Sequence, residues 1–558
     1  MKYRLLMLAA VFLLIAFVGG RDATGEPTLD EFRTAGCLVC TWDEGKMDDA
    51  KAAIAAADLK LVRVSPFKPV GACTWDAALT QAQLDKLVGS DAILDCYPDT
   101  RVFIVDGSPR DMIDARNEEL TRAAALDSVW KEEEVKSLKI RRVSTDVPKM
   151  HCVWASEENR AEAIEKLIAH PDIDHCYADT ETLTNPLPGR PPLTPPVTKG
   201  KSACYPIDPK FDELWGMRNI RATQAWCCTQ TSDIVVAVID TGVDYRHPDL
   251  RDNCWRNPKE IPGNNKDDDG SKIVADVFGA AFVDTDPTTY IATGDPADEH
   301  YHGTHVAGTI GAVGNNNEGV SGVCWRVQMI SIRVLDENGS GYGFDTADGI
   351  RYAVKMGAKV VNLSLGQKPG TNPSKDVQEA VEEAEKAGVL CVFSAGNNSN
   401  DNDAKPTPHS SYDNANIVAV ASITEQEKLS SFSNFGKTSV DLAAPGSDIL
   451  STFPTTETAA MRSNGYPTNY HRISGTSMAA PHVTGAIALA WAKPTYAHYT
   501  AAEIKKLILD KARRIDTLNG KVLTGATLDI GFLCKVETPP PPNKPCPPIL
   551  IWKPPCWN

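Results

Sequence analysis

The chain has 558 residues, too many for one hydrophobic core, so two or more domains are expected. Its apolar and charged fractions, 42% and 23%, are those of an ordinary soluble globular protein. A net charge of −16 argues against a nucleic-acid partner and against adhesion to anionic membranes.

The N-terminus reads MKYR, then LLMLAAVFLLIAFV, then GGRD. A basic start, an apolar run of 14 residues and small residues after it describe a secretory signal over 1–20. The run is short for a bilayer span, and no later segment is long and apolar enough to be one. A secreted, extracellular chain with no transmembrane segment after cleavage is expected. Export makes the 15 cysteines candidate disulfide partners, and the odd number leaves at least one free or paired with another molecule.

Residues 34–105 alternate in a defined order. GCLVCTW reads as a strand, MDDAKAAIAAAD as a helix, LKLVRVSPF and VGACTWDA as two strands, TQAQLDKLVGS as a helix and AILDCYPDT as a strand. That is the β-α-β-β-α-β order of a small ferredoxin-like α+β module. Its second half recurs: CTW at 73–75 matches CVW at 152–154, and CYPDT at 96–100 matches CYADT at 176–180. Leu84, Leu87 and Val88 correspond to Ile164, Leu167 and Ile168, a helical stripe that reads as core. A second copy is expected over 101–184. The proline-rich stretch within 185–204 cannot form a helix or a central strand and reads as an exposed linker.

Residues 205–533 form the large domain. SDIVVAVID, AKVVNLSLG, GVLCVFSAGN and NIVAVAS are short β-branched runs without polar alternation, as strands buried on both faces require. GYGFDTADGIRYAVKMG and SKDVQEAVEEAEKAG read as helices between them. The alternation predicts an α/β fold, a doubly wound, mostly parallel sheet with ligands beyond the carboxyl ends of its strands. The tail 534–558 is rich in proline, and Cys546 and Cys556 are spaced to close a small loop.

Three polar residues stand where folding alone would not choose them. Asp240 ends an apolar strand, where a carboxylate is costly unless it meets a partner. His302 opens the small-residue helix HGTHVAGTIGAV, and Ser477 opens another, SMAAPHVTGAIALAWA. Each alone could cap a turn or a helix. Together they supply a nucleophile, a base to take its proton, and a carboxylate to orient that base. Asn397, in VFSAGNNS, adds an amide able to hold a negative oxygen.

DTGVDYRHPDL, HGTHVAGT, SAGN and GTSMAAPHV resemble the four signature blocks of the subtilisin-like serine proteases, and the order Asp, His, Ser is the subtilisin order. The resemblance implies that Asp240 orients, His302 is the base, Ser477 is the nucleophile, Asn397 helps form the oxyanion hole, and His305 is structural. It implies that Ser364, Leu365 and Gly366 pair with the substrate backbone, with Ser394, Ala395 and Gly396 walling the P1 pocket. Strand pairing reads a peptide with little regard to sequence, which favours a broad endopeptidase over a dibasic one. Kexin-like convertases carry a further β domain, for which too few residues follow Gly531. The front modules resemble subtilisin propeptides, which implies an autoprocessed zymogen with its own propeptide as intramolecular inhibitor. The copy nearer the large domain is expected to be the cap, with self-cleavage within 183–201. Protein or peptide substrates, a monomer and no organic cofactor are the corresponding expectations.

NNKDDDGSKIVAD, residues 264–276, puts Asn265, Asp267, Asp269 and Gly270 at the first, third, fifth and sixth positions of a calcium loop, with Asp276 at the twelfth. The resemblance implies a second calcium site from Asp249 and the loop 313–320, with Val313, Asn316, Glu318 and Val320 as ligands. That loop is one residue longer than in the best-known subtilisins. A zinc reading of His302, His305 and Glu299 fails, because the HExxH pattern is absent. Asn338, Asn362 and Asn397 open glycosylation sequons. Two other readings stay open: an inactive protease scaffold that binds proteins through its cleft, and a narrow processing protease, for which Arg190, Lys199 and Lys201 offer a basic activation site.

Overall fold

The computed structural model describes residues 204–534 except 263 and 286–291. In the front region it describes 38–42, 46–57, 59–68, 70–74, 83–84, 87, 93, 95–98, 101–104, 140–142 and 152–154. The expected signal, the linker up to residue 203, most of the second module and the tail beyond 534 lie outside the described residues.

The front region begins with β1 (Leu38–Thr41), α1 (Met47–Ala56), β2 (Lys60–Val64), β3 (Val70–Thr74) and β4 (Asp95–Pro98). These strands form an antiparallel sheet in the order β2-β3-β1-β4. Leu38, Cys40, Ile54, Leu84 and Leu87 share its core, so the predicted stripe residues that are described do face inward. Next come β5 (Arg101–Ile104), then β6 (Ile140–Arg142) and β7 (Cys152–Trp154), which pair with each other.

The large domain opens with two short helices, α2 (Trp215–Asn219) and α3 (Ala222–Ala225). Then follow β8 (Thr231–Asp240), β9 (Gly279–Thr285), β10 (Ala292–Thr293), α4 (His302–Gly311), β11 (Arg326–Arg333), β12 (Ser340–Tyr342) and α5 (Gly343–Lys355). Beyond them lie β13 (Val360–Leu363), β14 (Leu365–Gly366), α6 (Lys375–Lys386), β15 (Leu390–Ser394), β16 (Ile417–Ile423), β17 (Leu442–Pro445) and β18 (Ile449–Thr452). The domain closes with α7 (Ala459–Asn464), β19 (Tyr470–Ile473), α8 (Thr476–Trp491), α9 (Ala501–Lys511), β20 (Arg513–Arg514) and β21 (Ala526–Thr527).

Ten strands make one sheet, in the order β10-β9-β11-β8-β13-β15-β16-β17-β21-β20. The pairs from β9 to β21 are parallel, and only the edge strands β10 and β20 run antiparallel. The central strands β13, β15 and β16 are buried along their whole length, which explains why they carry no polar alternation. All sixteen residues of α8 are buried, and its alanines and glycine let it press against the sheet. Among the described residues two disulfides staple the domain's ends: Cys204–Cys227 and Cys228–Cys534.

The front region is docked on the large domain. β5 lies between β12 and β14, antiparallel to both. Arg63 is ion-paired with Asp345, Ser65 Oγ donates to Asp348 at 2.8 Å, and Lys68 Nζ lies 2.9 Å from Glu379 and 2.7 Å from Glu383. Val39 and Ala72 pack against Phe344. The sequence reading expected the copy nearer the large domain in this place. The docked strand β5 falls at 101–104, where the two expected copies overlap, and it follows β4 after only two residues, which carries it straight to the edge of β14.

Candidate active site

Asp240 is the last residue of β8 and fully buried. Its Oδ1 accepts from the Thr241 N–H at 2.8 Å and lies 2.7 Å from His302 Nδ1. Facing a carboxylate, Nδ1 carries the ring proton, which leaves Nε2 as the basic lone pair. That Nε2 is buried and has no hydrogen-bond partner among the described residues. The approach is close because residue 303 is a glycine: a Cβ there would lie 2.0 Å from the Gly242 carbonyl oxygen.

Ser477 is the second residue of α8 and buried. Its hydroxyl donates to the Ser364 carbonyl at 3.1 Å, and the Ser364 hydroxyl donates back to the Ser477 carbonyl at 2.9 Å. The second bond has a local cause. A helix would bond the Ser477 carbonyl to the N–H four residues on, but residue 481 is proline and has none, so Ser364 fills the gap. Ser364 lies one residue past the register pair Leu363–Ile239, and Asp240 stands at the matching place on β8. The carboxyl ends of neighbouring strands and the first turns of α4 and α8 thus meet at one corner. The Ser477 hydroxyl is directed to Ser364, and among the described residues it makes no hydrogen bond to His302. Catalytic bonds of this kind commonly tighten only around a reacting substrate.

Asn397 follows β15. Its Oδ1 accepts from the Thr476 N–H at 2.9 Å and the Thr476 hydroxyl at 3.0 Å, so the amide is held with its nitrogen turned the other way. Ser394, Ala395 and Gly396 lead up to it, all buried. His305 is bonded to the Ile449 carbonyl at 2.8 Å, and burial pushes its pKa down to about 3, which keeps it neutral.

Two supporting residues were not legible. Thr476 orients Asn397 and also accepts from the Gly396 N–H at 3.2 Å. Asp298 accepts from Thr241 Oγ1, Thr304 Oγ1 and the N–H groups of His300 and Thr304, tying the end of β8 to the start of α4. Burial raises its pKa to about 6 despite these donors. No spacing marks either residue; only their place beside HGTH and GTS hints at a role.

The acidic loop gathers partly as expected. Oxygens of Asp267 and Asp269 lie within 4.8 Å of each other and of Glu260, which the sequence reading missed. Glu260 is 6% exposed, and its buried Oε2 meets no hydrogen-bond partner among the described residues. Asp276 is turned to the Tyr352 hydroxyl at 2.7 Å and to Asn257, and Asn265 takes a left-handed turn conformation. At the other predicted site the buried Asp249 accepts from Asn316 Nδ2 at 2.8 Å and the Val320 N–H at 2.9 Å. The Val313 N–H donates to the Asp249 carbonyl at 2.8 Å, and Glu318 lies 3.2 Å from the Tyr470 hydroxyl. Burial raises the Asp249 carboxyl to about 7.

Comparison with protein-family models matches residues 231–528, more than half of the chain, to the subtilase family, Peptidase_S8. The chain belongs to the subtilase family. It is a subtilisin-like serine endopeptidase, acting on protein substrates. Thermitase of Thermoactinomyces vulgaris is 38% identical over 285 residues, 51% of this chain and 84% of thermitase. The thermophilic serine proteinase of Bacillus sp. (strain AK1) is 40% identical over 276 residues, 49% of this chain and 56% of that protein. Thus the chain spans most of thermitase but little more than half of the second relative. The crystal structure of fervidolysin from Fervidobacterium pennivorans, described as a keratinolytic enzyme related to subtilisin, shares the fold. Its TM-score is 0.55 at 22% identity, covering 89% of this chain and 60% of that one. The subtilase span contains Asp240, His302, Asn397 and Ser477, and the front region with β1–β5 precedes it.

Proposed function

We propose that this subtilase is exported as a precursor and cuts peptide bonds through an acyl-enzyme. In this reading Ser477 Oγ attacks the substrate carbonyl while His302 Nε2 takes its proton and Asp240 holds the imidazole. The Asn397 amide and the Ser477 N–H receive the developing oxyanion. The proton on Nε2 then passes to the leaving amine, and water repeats the sequence to free the acid. The observation that carries the reading is the buried His302–Asp240 pair, at the corner where Ser477 meets Ser364. Ser364, Leu365 and Gly366 would bind the substrate backbone, with Ser394, Ala395 and Gly396 beside the residue that is cut. A cleft that recognises backbone supports a broad endopeptidase.

The front modules are read as a propeptide that acts as an intramolecular inhibitor. The antiparallel docking of β5 against Leu365–Gly366 supports this, since a substrate cannot enter while that edge is taken. The signal-like N-terminus and the two disulfides support secretion. Among the described residues no helix is long and apolar enough to cross a membrane. The test is Ser477→Ala. The wild-type precursor is expected to shorten and then digest casein. The variant is expected to stay full-length and to lose activity by about 10⁶-fold. A variant that still sheds its front region when made alone would show that another protease does the cutting.

Calcium is the proposed structural ion. Asp267, Asp269 and Glu260 fit it, because a buried carboxylate oxygen without a partner is costly until a cation or donor meets it. Asp249, with the 313–320 loop, is the second place, where a cation would relieve a buried carboxylate. Calcium should stabilise the fold by about 2.7 kcal/mol when it is a hundredfold above its dissociation constant. Chelation is expected to lower the melting temperature, and Glu260→Gln to reduce the calcium-dependent part of that shift. A melting temperature indifferent to calcium would remove the ion from this account.

A further inference from the structure

The strand Arg101–Ile104 lies between β12 and β14 as a peptide would, and its side chains report what the cleft accepts. Successive strand residues face opposite sides. Val102 and Ile104 are fully buried in one apolar cluster with Leu335 and Leu365, while Phe103 between them is half-buried. The Ile104 N–H donates to the Gly339 carbonyl at 3.0 Å. Gly339 has a φ of +72°, and a Cβ built on it would lie 3.0 Å from Ile104 Cδ1 and 3.1 Å from Cγ1. The side chain missing at residue 339 is the space into which the branched side chain of Ile104 fits.

Register fixes where that position falls in a substrate. Leu365 opposes Ile104, and Gly366 opposes Phe103. Ser364, the residue before Leu365, receives the Ser477 hydroxyl on its carbonyl. A peptide in the same register therefore brings the carbonyl of the residue after the Ile104 position next to Ser477. We infer that the enzyme selects substrates with a branched aliphatic side chain at the second residue before the cut bond, and that Gly339 determines this preference. An aliphatic residue two places earlier, at the Val102 position, adds to it. The inference rests on the reading of Ser477 as the nucleophile of an endopeptidase. Alanine at the Ile104 position would leave apolar space unfilled, and aspartate would bury an unpaired charge.

The test uses the full chain after it has matured, peptides containing RVFIVD, the chain's own sequence from Arg101 to Asp106, and casein in parallel. Mass spectrometry is expected to find the peptide cut between its valine and aspartate. Replacing the peptide's isoleucine with alanine should lower kcat/KM roughly 10- to 200-fold, and with aspartate by more. Gly339→Asn, a residue that tolerates the left-handed backbone, should shift the ratio of isoleucine to alanine peptides toward alanine. Casein digested while isoleucine and alanine peptides are cut equally, or cut at another bond, would overturn this inference and leave the endopeptidase standing. Casein and peptides both intact would overturn the endopeptidase reading, and this inference with it.

Discussion

Asp298 ties together the two elements that carry two of the proposed catalytic residues. It holds Thr241, beside Asp240, and the first turn of α4, which carries His302. Its carboxyl takes up a proton near pH 6 in the fold and near roughly pH 4 when unfolded. Between those values the folded state binds a proton that the unfolded state lacks, so stability from this group falls as pH rises through the window. Asp298→Asn is expected to flatten the pH dependence of the urea midpoint between about pH 4 and 6. It should also lower kcat, on the order of ten- to a hundredfold, because an amide nitrogen cannot accept from Thr304 and the His302 turn shifts. A kcat unchanged by the substitution would mean that the turn is held by other contacts. Asp240 stands out in the sequence because it ends an apolar strand, and His302 and Ser477 because each opens a small-residue helix. Asp298 does neither, lying in a polar loop among other acidic residues.

Elements were legible where burial on both faces left a plain signal. SDIVVAVID became β8, AKVVNLSLG became β13 and β14, and GVLCVFSAGN became β15. The helix read in SKDVQEAVEEAEKAG starts where its Ser374 caps the Val377 N–H. What stayed hidden was pairing. β5 sits at a boundary that the repeat pattern assigned to a second module, and its partners lie at Ser340–Tyr342 and Leu365–Gly366. Nothing local in RVFI names strands so far along the chain. Glu260 escaped for the same reason, as its carboxylate reaches the acidic loop from outside the spaced motif.

Across the whole molecule, Cys228–Cys534 joins the start of the large domain to its end, with a sequence separation of 306 residues. Long closed loops lose the most unfolded-state entropy on cross-linking. Replacing both cysteines with serine is expected to cost roughly 2–5 kcal/mol, read from denaturant midpoints under oxidising conditions. Equal midpoints for the two proteins would assign the stability to the ten-stranded sheet alone. The pairing itself was beyond the sequence, because 15 cysteines admit many connectivities and only the fold brings Cys534 to Cys228. The docked strand has a different consequence. While it belongs to the same chain, its local concentration at the cleft is set by the tether, of millimolar order, whatever the volume of solution. One severed bond turns it into a separate partner whose occupancy obeys mass action. On the proposed precursor reading, a cut chain would stay silent where it is crowded and wake when it is diluted.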